Sequence, residues 1–84
     1  MYEYLFTFRS LTQAQTAQSM LRRGGIQVDL RRAPKRLSNN GCAYALTISE
    51  THLHDAIFLF RERNLSFKRL YRQLGFQELE EVQL

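Results

Sequence analysis

The sequence has no tryptophan, one proline and one cysteine among its 84 residues. A single cysteine excludes a disulfide within the chain, and a free thiol persists in a reducing compartment, so we expect a cytoplasmic protein. No apolar run approaches the about 20 residues that a membrane-spanning helix needs. The start, "MYEYLF", lacks the basic residues and the long apolar stretch of a signal peptide. A chain of this length predicts one small domain, without a deep, enclosed active site.

Charge is distributed unevenly along the chain. The net charge is +4, and basic residues cluster in "LRRGG" and "LRRAPKR", whereas the tail "QELEEVQL" is acidic. This balance permits an acidic partner without requiring one. Such a basic stretch is usually interpreted as a solvated surface. A more specific interpretation is that it stabilises an anion.

The spacing of apolar residues predicts the order strand, helix, strand, strand, helix, strand. The segment "YEYLFTF" alternates as a strand does, and a helix from Leu11 ends at "RRGG". The later predicted elements are strands at 26–30, 42–48 and 65–71 and a second helix at 49–63. Residues 31–41, with Pro34 and an Asn-Asn-Gly turn signal, are predicted as a loop.

This order predicts an α+β, ferredoxin-like βαββαβ fold, in which two helices cover one face of a four-stranded antiparallel sheet. An incomplete doubly wound sheet is the alternative, but two helices are too few to cover both of its faces. The other face, which includes Leu5, would be open and would favour a homodimer. We expect residues 1–71 to form the domain. Residues 72–84 would form a fraying tail or a short helix through Phe76, Leu79 and Val82.

Cys42 stands at the start of the predicted third strand, directly after a turn and a basic segment. Positive charge and converging N–H donors favour the thiolate, which is the nucleophilic form, and they would stabilise an anionic persulfide in the same way. The alternative is a small buried apolar side chain. The residues expected to stabilise the anion or to guide docking are Lys35, Arg36, Ser38, Asn39, Asn40 and Gly41.

The segment "PKRLSNNGCAYAL" (34–46) resembles the central motif of a small bacterial family of selenium/sulfur carrier-like proteins. Within it, the matching residues are Pro34, Lys35, Arg36, Leu37, Ser38, Gly41 and Cys42. The resemblance covers residues 2–71, although Ala43 replaces the usual glycine and the turn has one extra polar residue. It implies a carrier, rather than an independent enzyme, that holds a persulfide or perselenide on Cys42 for transfer between donor and acceptor proteins.

Two other functions stay open. One is a non-catalytic interaction or regulatory module that dimerises through its sheet, with Cys42 incidental. The other is a weak RNA-binding domain, although "CAYALTI" lacks the basic-glycine-aromatic signature of RNA-binding sheets. His52 and His54 have no second cysteine or clustered carboxylates beside them in sequence, so we predict no metal site and no cofactor.

Overall fold

Five strands form one antiparallel sheet in the computed structural model, which describes residues 2–38, 43–75 and 78–83. The elements are β1 (Glu3–Phe8), α1 (Leu11–Arg23), β2 (Asp29–Arg32), α2 (Lys35–Ser38), β3 (Tyr44–Ser49), a 3-10 turn (Glu50–His52), α3 (Leu53–Glu62), β4 (Arg69–Gly75) and β5 (Glu78–Glu81). The strand order is β2-β3-β1-β4-β5. The prediction of helices and an antiparallel sheet is confirmed, whereas the count of four strands and two helices is wrong.

Helix α1 begins and ends where the sequence predicts. The Ser10 hydroxyl accepts a hydrogen bond from the Gln13 amide at 3.1 Å, which caps the first turn. At the other end, Gly25 has a φ of 85°, a conformation in which side chains are strained. The buried stripe of this helix consists of Ala14, Ala17, Met20 and Leu21.

The two longer helices, α1 and α3, pack on the same face of the sheet. The aromatic side chains of β1 lie beneath them, and Phe6 is fully buried. Its ring centroid is 4.9 Å from that of Phe60 on α3 and 4.7 Å from that of Phe67. Offset and edge-on rings at these separations attract one another beyond the area that they bury. This cluster is the main core of the protein.

Two strands begin later than predicted. The sequence places the second strand at 26–30, yet β2 begins at Asp29, although Ile26 and Val28 are buried. In the same way β4 begins at Arg69 rather than near residue 65, because the segment before it packs Phe67 against the core before the ladder starts. Burial alone therefore does not mark where strand pairing begins.

The opposite face is partly covered by α2, which lies within the segment predicted as a loop. Leu37 of α2 packs with Leu5, Ala45 and Tyr71 in a second buried cluster. Leu5 is only 4% exposed. The prediction that Leu5 leaves apolar surface on an open face is therefore wrong, and dimerisation through the sheet stays a prediction.

The C-terminal segment forms β5, so the prediction of a short helix or a fraying tail is wrong. Leu79 packs with the cluster beneath α2, whereas Val82 packs with the main core. Two ion pairs also join β5 to β4. Arg69 lies 3.0 Å from Glu81, and Arg72 pairs with Glu80. The hydrogen bond to Glu80 raises the pKa of the Arg72 guanidinium above its ordinary value. Phe76, expected on the helix, lies outside the described residues.

The longest helix, α1, has 13 residues. Within the described ranges, no helix combines the length and the apolar character needed to cross a bilayer.

Candidate functional site

Cys42 and the preceding Asn39, Asn40 and Gly41 lie outside the described residues, and the structure fixes the chain on both sides of them. Helix α2 ends at Ser38. On the other side, the Ala43 amide donates a hydrogen bond to the Phe8 carbonyl, and the Ala33 amide donates to the Ala43 carbonyl, both at 3.0 Å. The residue after Cys42 is thus bonded to the chain at the ends of β1 and β2. Partial exposure of Cys42 stays a prediction.

A groove of about 590 Å³ lies beside α2 on the sheet face opposite the long helices. Its floor is formed by side chains from four strands, namely Leu5, Thr47, Gln73 and Leu79. Its wall consists of Arg31, Arg32, Pro34, Lys35 and Arg36. The described lining includes four cationic residues and no acidic residue. Such a surface is electrostatically suited to an anion.

The predicted basic cluster is divided between the two faces of the sheet. Arg31 pairs with Ala45 in the sheet register, so its side chain lies on the groove face. Arg32 pairs with Tyr44 on the other face, and its guanidinium carbon lies 5.9 Å from the centre of the Tyr44 ring. A guanidinium at this distance from an aromatic face is attracted by it. Arg31 is therefore the arginine of β2 that extends toward the groove.

Helix α2 supplies the other cations. Pro34 precedes the helix, and its carbonyl accepts a hydrogen bond from the Leu37 amide at 2.9 Å. Leu37 points to the sheet and is 6% exposed, whereas Lys35 and Arg36 are exposed and line the groove. One buried leucine thus orients a turn whose two basic residues face solvent. Lys35 and Arg36 each also have an interaction partner in the structure.

His52 and Ala43 lie at opposite ends of β3. His52 lines a separate cavity of about 200 Å³ with Glu3 and Asp29, beyond the C-terminal end of β3. Ala43 lies before the other end of that strand, about 20 Å away along six extended residues. His52 is therefore not placed to act as a base for a group near Ala43. Among the residues that the structure describes, no three His, Cys, Asp or Glu side chains are grouped as metal ligands.

Residues 3–72 match the family model described as "Putative Se/S carrier protein-like". The chain belongs to this family. Comparison with curated proteins and with solved structures gave no significant match. The region shared with the Se/S carrier-like family runs from β1 into β4 and contains Cys42, α2 and the arginines of β2, whereas β5 lies outside it.

The sequence of this Se/S carrier-like chain predicts the basic wall of the groove but not its floor. Thr47, Gln73 and Leu79 were not among the predicted site residues, because they meet only when β3, β4 and β5 are assembled. One signal for α2 was available, since proline is common where a helix begins. Recognising a helical turn after Pro34 would have placed Leu37 against the sheet.

Proposed function

We propose that this protein carries sulfur or selenium on Cys42, as a persulfide or perselenide, between a donor and an acceptor protein in the cytoplasm. The observation that carries this proposal is the family match over residues 3–72, a range that includes the one cysteine of the chain. The family description supplies the carrier class. The assignment to Cys42 rests on its chemistry, because a thiolate is the side chain in this sequence best able to hold a sulfane sulfur.

The transfer is an exchange without net oxidation. The Cys42 thiolate attacks the outer sulfur of a persulfide on the donor, the new S–S bond forms, and the old S–S bond breaks to release the donor thiolate. A thiolate of the acceptor then attacks the outer sulfur on Cys42. The outer sulfur passes to the acceptor, and Cys42 is released as a thiolate. For selenium, the transferred atom is the outer selenium of a perselenide, and the electron count is unchanged.

The residues around Cys42 have a supporting role in this proposal. Lys35 and Arg36 on α2, with Ser38 and the turn at 39–41, would stabilise the anionic thiolate or persulfide and guide docking of the partner. The anchored Ala43 supports this role, because the peptide after Cys42 is bonded to the ends of β1 and β2 and need not move during transfer. The small fold fits a relay that uses its partners' active sites.

Intact mass spectrometry tests the proposal. The protein is incubated with a cysteine desulfurase and cysteine, without reductant. We expect a mass gain of one sulfur atom that a thiol reductant removes and that the Cys42→Ser variant does not acquire. An Arg61→Ala variant, changed on the exposed surface of α3, serves as the folded control and should load like the wild type. Absence of the added sulfur with an active desulfurase would favour an interaction module in which Cys42 is incidental.

RNA binding through stacked bases has less support. Single-stranded RNA modules of this topology stack bases on aromatic side chains of the exposed sheet face. On that face the neighbouring strands β1 and β3 carry Leu5, Thr7, Ala45 and Thr47, none of which is aromatic. The aromatic residue that β4 adds there, Tyr71, is buried in the cluster with Leu37. Any binding of RNA by the basic wall should therefore be non-specific and should weaken steeply as salt is raised.

A further inference from the structure

The groove beside α2 has the composition of a small-molecule site. Its volume of about 590 Å³ lies within the range of about 300 to 1,000 Å³ that such sites have. Half-buried Leu79 gives it an apolar floor beside Leu5, which Leu37 already covers, and polar groups are few. From Thr47 on β3 to Leu79 on β5 the floor crosses three strand spacings, or about 14 Å.

Thr47 also lines the groove. Thr47 is 6% exposed, and its hydroxyl has no hydrogen-bond partner among the described residues. The hydroxyl is not enclosed, because among the described residues the one buried side-chain atom without a partner is Arg72 Nε. With Gln73, Thr47 thus provides a polar group in the floor that a ligand or water can reach.

Arg31 provides the positive charge of β2 on the groove face. It is exposed, lines the groove, and forms no ion pair with a carboxylate in the described parts of the chain. A guanidinium has a planar set of donors that binds a carboxylate or a phosphate through two parallel hydrogen bonds. Lys35 and Arg36 extend the same positive wall along α2.

Carboxylates also border the groove, and Asp29 lies two residues before Arg31 on the same face of β2. Glu3 and Asp29 lie with Thr47 around the neighbouring small cavity. Their negative charge repels an anion, whereas Lys35 and Arg36 of α2, together with Arg31, attract the charged end of a ligand to the basic wall. The apolar end is then directed toward Leu79. The charge distribution therefore favours one orientation of a bound molecule.

We propose that this groove binds a small organic anion, a carboxylate or a phosphate monoester, that has an apolar body. The anionic group is held by Arg31 with the basic residues of α2, Thr47 hydrogen-bonds to the ligand, and the apolar body packs on Leu79. The site does not use Cys42 and does not depend on the carrier proposal.

Heteronuclear NMR of the full ¹⁵N-labelled chain tests the site with defined probes. The probes are 2-naphthoate, 2-naphthyl phosphate, the uncharged 2-naphthalenemethanol, inorganic phosphate and a synthetic glutamate-rich peptide. We expect both naphthyl anions to shift the amide signals of β1, β3 and β5 that surround the floor. The tighter of the two identifies the preferred anionic group. The neutral probe and inorganic phosphate should each bind at least about tenfold more weakly, since each lacks one of the two recognised parts.

Matched variants distinguish binding at this groove from non-specific electrostatic attraction. Arg31→Gln should weaken binding of the naphthyl anions about tenfold, and Thr47→Val should weaken it about fivefold. Arg61→Gln removes an exposed arginine of α3 and should leave binding unchanged. Thermal unfolding of each variant establishes that the fold is retained.

Several results would overturn the proposal. Equal binding of 2-naphthoate and 2-naphthalenemethanol would remove the role of charge. Equal binding of inorganic phosphate would leave a simple anion site on the wall. Shifts confined to residues away from the groove, or unchanged binding in Arg31→Gln, would place the ligand elsewhere. Tighter binding of the acidic peptide than of either naphthyl anion would identify a protein-docking surface instead.

Discussion

The hydroxyl of Thr7 on β1 makes two hydrogen bonds with the backbone of Arg69 on β4. It donates to the Arg69 carbonyl at 3.1 Å and accepts from the Arg69 amide at 3.0 Å. Thr7 is fully buried, so no water competes for these groups. A side chain thus completes the backbone pairing at the start of β4, next to the bond from the Lys68 amide to the Thr7 carbonyl.

Replacing Thr7 by valine keeps the volume of the side chain but removes both of these hydrogen bonds. We expect Thr7→Val to lower the free energy of unfolding by about 2 kcal/mol, because a buried amide and carbonyl lose their partner. Thr16→Val is the matched control, since the Thr16 hydroxyl bonds to Thr12 on an exposed helix surface, and should cost less than about 0.5 kcal/mol. Urea unfolding measures both, and equal losses would contradict the prediction.

The glycines Gly25 and Gly75 allow conformational strain to be measured without a steric clash. A Cβ atom added to either would meet no atom within 4 Å, but only Gly25 of the two has a positive φ, at 85°. We expect Gly25→Ala to destabilise the protein by about 1 to 2 kcal/mol. Gly75→Ala should change stability by no more than about 0.5 kcal/mol. Similar melting temperatures for the two variants would show that the Gly25 turn is not strained by a side chain.

Leu37 anchors the basic turn α2 to the sheet. Leu37→Ala removes an apolar side chain that is 6% exposed, and we expect it to lower the unfolding free energy by about 2 kcal/mol or more. The control is Leu11→Ala, because Leu11 is 41% exposed at the start of α1 and should contribute little. If denaturant unfolding finds no difference between the variants, α2 is not held by this contact.

Strand β5 should be held more by apolar packing than by its ion pairs. The Arg69 and Glu81 side chains are 41% and 36% exposed, and such pairs contribute about 0.5 kcal/mol. Val82→Ala removes methyl groups packed on the main core and should lower the free energy of unfolding by about 1 kcal/mol. Glu81→Gln should lower it by less, and this decrease should be smaller in 1 M salt. A larger loss from Glu81→Gln than from Val82→Ala would reverse this assignment.

Alkylation of Cys42 against pH tests whether its surroundings favour the thiolate. We expect the midpoint of the rate to lie below about 8.5, the pKa of a free cysteine, because basic neighbours stabilise the anion. Arg36→Ala should raise the midpoint, and Arg61→Ala, on the surface of α3, should not. Alkylation no faster than that of a buried cysteine in a folded control protein would show that Cys42 has a packing role, and the carrier proposal would lose its chemical group.

Local signals in the sequence were sufficient for the helix α1 and for the central strand β1. The Ser10 cap, the four-residue apolar stripe and the two glycines all act within a few residues of the helix ends. The alternation in β1 also predicts the faces of its side chains. It does not predict that both faces are buried, because the cover over Leu5 comes from Leu37, which is 32 residues away in the sequence.

Long-range pairing decides the C-terminal segment and the floor of the groove. Leu79 and Val82 have helical spacing with Phe76, yet Leu79 in β5 and Val82 directly after it pack with two different clusters. The neighbouring β4 supplies hydrogen-bond partners that a short isolated helix would lack, and so the strand is favoured. The basic wall could be predicted from adjacent residues in the sequence, but the floor requires the register of four strands.

The order of the strands also separates charge across the molecule. Strand β2, with Arg31 and Arg32, forms one edge of the sheet, and β5, with Glu78, Glu80 and Glu81, forms the other. Four strand spacings, about 19 Å, lie between these edges. The opposite charges at these edges contribute an electric dipole directed across the strands. The field of a charged body exerts a torque on this dipole and so turns the molecule. An anionic surface therefore attracts the β2 edge first, and the preference weakens when salt shortens the Debye length below this separation.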